Sequence, residues 1–294
     1  MFVDLVHRAV RGRYQRAGFV SGFIEHERFT LHYYGRTLPG SSTTLVLVHG
    51  LGTSSSTWTH VLPKLGSMCN ILALDLPGFG LSRINSGLGF ARLSELHAAL
   101  DAFILQKTTQ PVFLLGHSLG GWIAAHYAAN HPTNVRSLLL VNNAGILCED
   151  TASQGKAFQV QSIGDLRSLL NSIWFRYPWY FKPFYPAVLS DLRRRHVAEF
   201  IQSVHKEDFL NEELSKLSMK VSIVWGGEDK LISMKSVEIM KKSIPTVELH
   251  LLKQCGHVPQ LERPKEFVDI VRGILHGAQL DATRNGSIST PTLT

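Results

Sequence analysis

The sequence predicts an α/β fold: a mostly parallel β-sheet flanked by helices on both faces and interrupted by one helical insertion. Three observations lead there. Short apolar runs of strand length recur at 44–48, 71–74, 112–115 and 135–141, each separated from the next by a helical or turn-rich segment. They are continuous rather than alternating, as strands covered on both faces are. The alternation stops after Asn143 and resumes only at Val221, so 145–217 reads as an inserted helical cap.

The chain has 294 residues, 44% hydrophobic and 18% charged, enough for a large core. Residues 1–18 are basic, with Arg8, Arg11, Arg13 and Arg16 against Phe2, Val3, Val6 and Val10, and read as an amphipathic helix that packs on the body or lies on a membrane. Runs at 19–25 and 29–34 form a hairpin, which supplies an antiparallel edge. The strand at 44–48 ends in His49-Gly50-Leu51-Gly52, and 56–65 follows as a helix. The strand at 71–74 ends in Asp75-Leu76-Pro77-Gly78-Phe79-Gly80, and 93–106 has helical spacing.

Next comes PVFLLGHSLGGWIAA, residues 111–125. Strand, tight turn and small-residue helix together convert a G-x-S-x-G match into a nucleophile elbow, with Ser118 at its tip. Gly116, Gly120 and Gly121 give the small residues that a close strand–helix approach demands. After the insertion, 221–225 is a strand, 234–243 a helix, 247–252 a strand and 265–276 the last helix. The body is thus 19–144 with 218–276, and the polar stretch 277–294 reads as a disordered tail.

A serine hydroxyl needs a base, a group to orient the base, and oxyanion donors. Sites in open parallel sheets form at the carboxyl ends of strands. The last two strands lead into Gly226-Gly227-Glu228-Asp229 and Gln254-Cys255-Gly256-His257. His257 is assigned as base and Asp229 as its partner, in the order serine, acid, histidine. Glu228 and Asp75 are the rival acids; Glu228 is adjacent to Asp229, and Asp75 suits a turn in DLPGFG. The oxyanion donors are assigned to the backbone N–H groups of Leu119 and Leu51, with His49 as a turn brace.

HGLG, DLPGFGLS, GHSLGG, GGEDKLI and CGHVPQLERP, in this order, resemble the α/β-hydrolase fold superfamily over roughly residues 20–276 outside the insertion. The resemblance implies an eight-stranded sheet with a lid after the sixth strand. GHSLGG with CGH-x4-ERP is most similar to monoacylglycerol lipases and esterases with a helical cap. Relatives that open epoxides or break carbon–halogen bonds place Asp at the elbow, where this chain has Ser118. Some relatives linked to acyl transfer carry Asp where this chain has Glu262, and the membrane-anchored lipases have an apolar N-terminal helix that this chain lacks.

The expected function is therefore a serine carboxylic-ester hydrolase that forms an acyl-enzyme and acts on a lipophilic ester such as a monoacylglycerol. A carbon–carbon bond hydrolase with the same triad is the runner-up, and it calls for a polar pocket with an arginine. A non-catalytic ligand-binding protein on the same scaffold is the third reading. No cofactor and no metal are expected. The formal net charge is +7, but no nucleic-acid motif accompanies it. The basic N-terminus and the aromatic insert are the segments suited to a membrane surface. No transmembrane run or signal-peptide core is evident, Cys69, Cys148 and Cys255 read as free thiols of a reducing compartment, and the expected location is cytoplasmic or peripheral to a membrane. The sequon at Asn285 is discounted for want of a secretory signal. In the aromatic block 174–186, Trp174, Phe175, Trp179 and Phe181 are candidate substrate contacts, and docking the cap onto the body is the equal alternative.

Overall fold

Among the described residues, nine strands make one sheet in the order β1-β2-β4-β3-β6-β7-β8-β9, with the two-residue β5 paired to β2. In chain order they are β1 (Val20–His26), β2 (Phe29–Arg36), β3 (Thr44–Val48), β4 (Asn70–Leu74), β5 (Arg83–Ile84), β6 (Val112–His117), β7 (Val135–Val141), β8 (Lys220–Gly226) and β9 (Val247–Leu252). The computed structural model describes residues 2–87 and 89–284. The helices are α1 (Phe2–Arg16), α2 (Leu62–Leu65), α3 (Leu93–Lys107), α4 (Leu119–Asn130), α5 (Thr151–Ala157), α6 (Ile163–Ile173), α7 (Tyr185–Arg194), α8 (Val197–Gln202), α9 (Met234–Ser243), α10 (Pro259–Glu262) and α11 (Pro264–Arg284).

The continuous apolar strands are explained by a core on each side of the sheet. In β3, Val46 and Val48 face one cluster with Leu114, Leu140 and the α3 residues Leu100 and Phe103. Leu45 and Leu47 face the other, with Phe113, Leu139, Trp58 and Phe267. Successive residues point to opposite faces, so both must be apolar when both faces are covered. From β4 onward in that order the pairing is parallel: β4 with β3, β3 with β6, β6 with β7, β7 with β8, β8 with β9. The hairpin β1–β2 is antiparallel, and β2 meets β4 antiparallel.

Several expectations change. Among the described residues the sheet has nine strands rather than eight, because Arg83 and Ile84, a pair too short to give a strand pattern, reach back to pair with Thr30 and Phe29 of β2. The helix read at 56–65 is a 3-10 turn, Ser55–Trp58, and the short α2, whose second residue is Pro63. Proline lacks the N–H needed to continue the preceding turn. Where the sequence reading began a disordered tail at Gly277, α11 continues to Arg284; its Ala, Gln, Leu and Arg are good helix formers despite the polar composition. Residues 285–294, with the Asn285 sequon, lie outside the described residues.

The segment between β7 and β8 contains helices α5 to α8 and short 3-10 turns over the carboxyl ends of the strands. Helix α1 is docked onto the body at its end: Tyr14 is fully buried and donates its hydroxyl to Ser55 O at 2.8 Å, and α1 also lies against α7. Among the described residues, no helix is long and apolar enough to cross a membrane.

Candidate active site

Ser118 follows β6 directly and caps α4 with φ +53° and ψ −120°. This backbone region is costly for a residue with a Cβ. It is held from both sides: Ser118 N–H donates to Val141 O at 3.0 Å, and Ser118 O accepts from the N–H groups of Gly121 (2.9 Å) and Ala144 (3.0 Å). The turn is so tight that a Cβ on Gly116 would fall on the carbonyl of Gly120, and one on Gly120 would fall on that of Val48. The small residues around Ser118 are therefore a steric requirement.

His257 and Asp229 meet beside this elbow. His257 Nδ1 donates to Asp229 Oδ2 at 2.8 Å, and both side chains are almost wholly buried. The carboxylate is saturated with donors. Its Oδ1 accepts from the N–H groups of Leu231 (2.8 Å) and Ile232 (3.0 Å), and its Oδ2 also accepts from Asn142 Nδ2 at 2.7 Å. Four donors converging on its two oxygens fix the orientation of the carboxylate. The imidazole is thereby fixed with its proton on Nδ1 and its Nε2 free to act as a base.

The His257 loop rests on the inserted segment. His257 N–H donates to Ile173 O at 2.6 Å, at the end of α6. Glu262 joins the same two parts, accepting from Gly256 N–H at 2.8 Å and Phe175 N–H at 2.9 Å. Burial raises its pKa while these donors pull it down. His257 O accepts from His117 Nε2 at 2.8 Å. Burial and the nearby His257 push the His117 pKa down to about 3, so it is a neutral brace.

The loop after β3 crosses the elbow from the other side. A Cβ on Gly50 would stand 2.9 Å from the Ser118 Cβ. His49 stabilises this loop, with Nδ1 donating to Gly50 O (2.8 Å) and Nε2 accepting from Leu76 N–H (2.9 Å). Among the described residues, the N–H groups of Leu51 and Leu119 have no acceptor within the chain. Two free N–H groups bordering a serine are what a developing oxyanion needs.

The rival acids lie elsewhere. Glu228 accepts from Cys255 N–H at 2.9 Å. Asp75 is buried with His32 Nδ1 at 2.7 Å and accepts from Ser55 and Leu81 N–H. Burial works to raise its pKa, but the His32 hydrogen bond and the Leu81 N–H outweigh it and hold it at about 2. Cys255 is fully buried beside this machinery, with its thiol pKa pushed up by burial.

Ser118 and His257 open into a cavity of about 200 Å³, walled by Leu51, Leu166, Leu170, Ile173 and Leu192 among others. Of the four aromatic candidates, Trp174 lines it; Phe175, Trp179 and Phe181 do not. Trp179 is 76% exposed and Phe181 37%, because the 3-10 turn Trp179–Phe184 points them outward rather than continuing a helical face. Sequence reasoning missed Asn142 and Glu262. The signal for Asn142 was an asparagine at a strand end, and it sits at φ +39° with Oδ1 accepting from Gly226 N–H at 3.0 Å.

The sequence matches the alpha/beta hydrolase family over residues 45–270. Monoacylglycerol lipase ABHD6 of Rattus norvegicus is 26% identical over 275 residues, covering 85% of this chain and 80% of that protein. Lipase 3 of Moraxella sp. (strain TA144) is 29% identical over 252 residues, covering 79% and 77%. Among solved structures, a membrane phospholipase A described as a bacterial virulence factor superposes with a TM-score of 0.82 at 25% identity, covering 94% of this chain and 92% of that one. With the match spanning most of its length and the sheet, elbow and strand-end loops arranged as described, the chain belongs to the alpha/beta hydrolase family.

Proposed function

We propose that the protein is a serine carboxylic-ester hydrolase whose substrate is a lipophilic ester of the monoacylglycerol type. The observation that carries this reading is Ser118, held at φ +53° in a cavity shared with His257, which is itself bonded to Asp229 at 2.8 Å. His257 Nε2 takes the Ser118 proton as Oγ bonds the ester carbonyl carbon, and Asp229 stabilises the imidazolium. The N–H groups of Leu51 and Leu119 bind the carbonyl oxygen as it becomes an oxyanion. Collapse breaks the ester C–O bond, and His257 returns the proton to the departing alcohol. Water then attacks the acyl-enzyme through the same base and releases the acid.

A lipophilic substrate is supported by the leucine and isoleucine walls of the cavity and by the lipase names of the relatives. Among the described residues, the walls include no arginine or lysine, which weighs against a carbon–carbon hydrolase that must hold a carboxylate. Contact with a lipid surface belongs to the same proposal. Its support is the exposed Trp179, Tyr180 and Phe181 beside Arg176 and Lys182, residue types that suit a membrane interface.

The test is hydrolysis of p-nitrophenyl esters by wild type and Ser118→Ala, with fluorophosphonate labelling of both. Serine-dependent turnover and labelling support the proposal. Labelling without ester turnover favours carbon–carbon cleavage, and neither favours a binding role.

A further inference from the structure

A second, larger cavity with mostly apolar walls adjoins the first. Its volume is about 490 Å³, against about 200 Å³ for the space at Ser118. Trp122, four residues beyond Ser118 on α4, lines it, as does Ala144, whose N–H is bonded to the Ser118 carbonyl. Helix α5 contributes Gly155, and α8 contributes Ile201. The side chain of Phe158, just past α5, lines both cavities.

The volumes bear on substrate size. Pockets that bury a small organic ligand span about 300–1,000 Å³. The Ser118 cavity alone is below that range, and with its neighbour it falls within it. Although Glu149, Gln154, His205 and Lys206 also line it, Trp122, Leu147, Ile201, Val204 and Phe209 make most of the second cavity's wall apolar, and such a wall favours methylenes, each worth about 0.8 kcal/mol when buried.

We infer that this second cavity is the distal compartment for a long fatty-acyl chain, and that Phe158 is the partition that the chain passes on its way from Ser118. The inference rests on the ester-hydrolase reading. It makes chain-length preference a property of α5 and Phe158 rather than of the exposed aromatic turn. Short acyl groups are accommodated wholly at Ser118, and long ones cross the partition.

Gly155 is the place to test it. A Cβ there meets only Ile201 Cγ2, at an ordinary 3.5 Å, so a side chain can be built into the cavity without moving backbone. In Gly155→Leu, kcat/KM for p-nitrophenyl laurate and palmitate should fall at least about tenfold, the scale set when a hydrophobic pocket loses room for a methylene or more. Butyrate should stay within about twofold of wild type, and Gly155→Ala should change little. Phe158→Ala should raise the laurate-to-butyrate ratio. A folded Gly155→Leu with the wild-type ratio overturns the inference, as does an unchanged ratio in Phe158→Ala or a wild type inactive on laurate. If wild type shows no Ser118-dependent butyrate hydrolysis, the ester-hydrolase reading itself fails.

Discussion

Replacing Asp229 with asparagine tests the site at one atom. The carboxylate accepts four hydrogen bonds, two at each oxygen. An asparagine can keep only one acceptor oxygen. If that oxygen stays on Leu231 and Ile232, the new NH₂ faces Asn142 Nδ2 and His257 Nδ1. If it flips, two backbone N–H groups lose their acceptor, at about 1–3 kcal/mol each. The unflipped form is therefore favoured. Asn142 cannot turn to help, because its oxygen holds Gly226 N–H. His257 then relieves the clash by moving its proton to Nε2, the nitrogen that should receive the Ser118 proton. The expected result is a fall in kcat of about 10⁴, near 5.5 kcal/mol, with KM little changed. The assay is steady-state hydrolysis of p-nitrophenyl butyrate, with thermal unfolding as a check on the fold. A folded Asp229→Asn within tenfold of wild type would refute the tautomer argument. Glu228→Gln, whose carboxylate serves the Cys255 N–H, should remain near wild type.

Three further outcomes follow from the geometry. Ser118→Gly should abolish turnover and labelling yet unfold at a higher temperature, since relief of the positive φ is worth about 1 kcal/mol after glycine's extra unfolded-state entropy; an unchanged or lower Tm would show that the elbow stores no strain. Gly50→Ala should lower kcat about 10²-fold by displacing the Leu51 N–H, because its Cβ would meet Ser118 Cβ at 2.9 Å; a wild-type kcat would remove that loop from the oxyanion site. The Asp75 pKa is depressed to about 2, so this group stabilises the fold above the unfolded-state pKa near 4 and loses that contribution as pH falls toward 2, by roughly 2–3 kcal/mol. Wild type should accordingly lose stability between about pH 4 and 2 more steeply than Asp75→Asn in denaturant titrations, and parallel curves would count against the assignment.

The elbow at Ser118 was legible because such a turn is a local object. Strand, glycine-flanked turn and helix lie within residues 112–130, and the chain that must bend sharply there carries the small residues that permit it. Asp229 and His257 stood out as candidates because parallel strands buried on both faces announce their ends, and those ends share one edge of the sheet. The ninth strand, the broken helix at 55–65 and the extension of α11 were not, since two-residue pairings and helix ends depend on neighbours more than on composition.

The sequence by itself determined the fold class, the elbow and the residues at the strand ends, all of which follow from short-range pattern. Tertiary structure decided what those residues touch. Asn142 reaches Asp229 across 87 residues, Glu262 ties the histidine loop to the inserted segment, and Trp174 faces the cavity while Trp179 faces solvent. Phe158 lines two cavities although nothing near it in sequence distinguishes it from other aromatics of the chain. The physical reason is the same in each case. The docking of one helix on another sums many weak contacts between distant residues, and a rotation of a fraction of a turn exchanges the residues that face the site for those that face water.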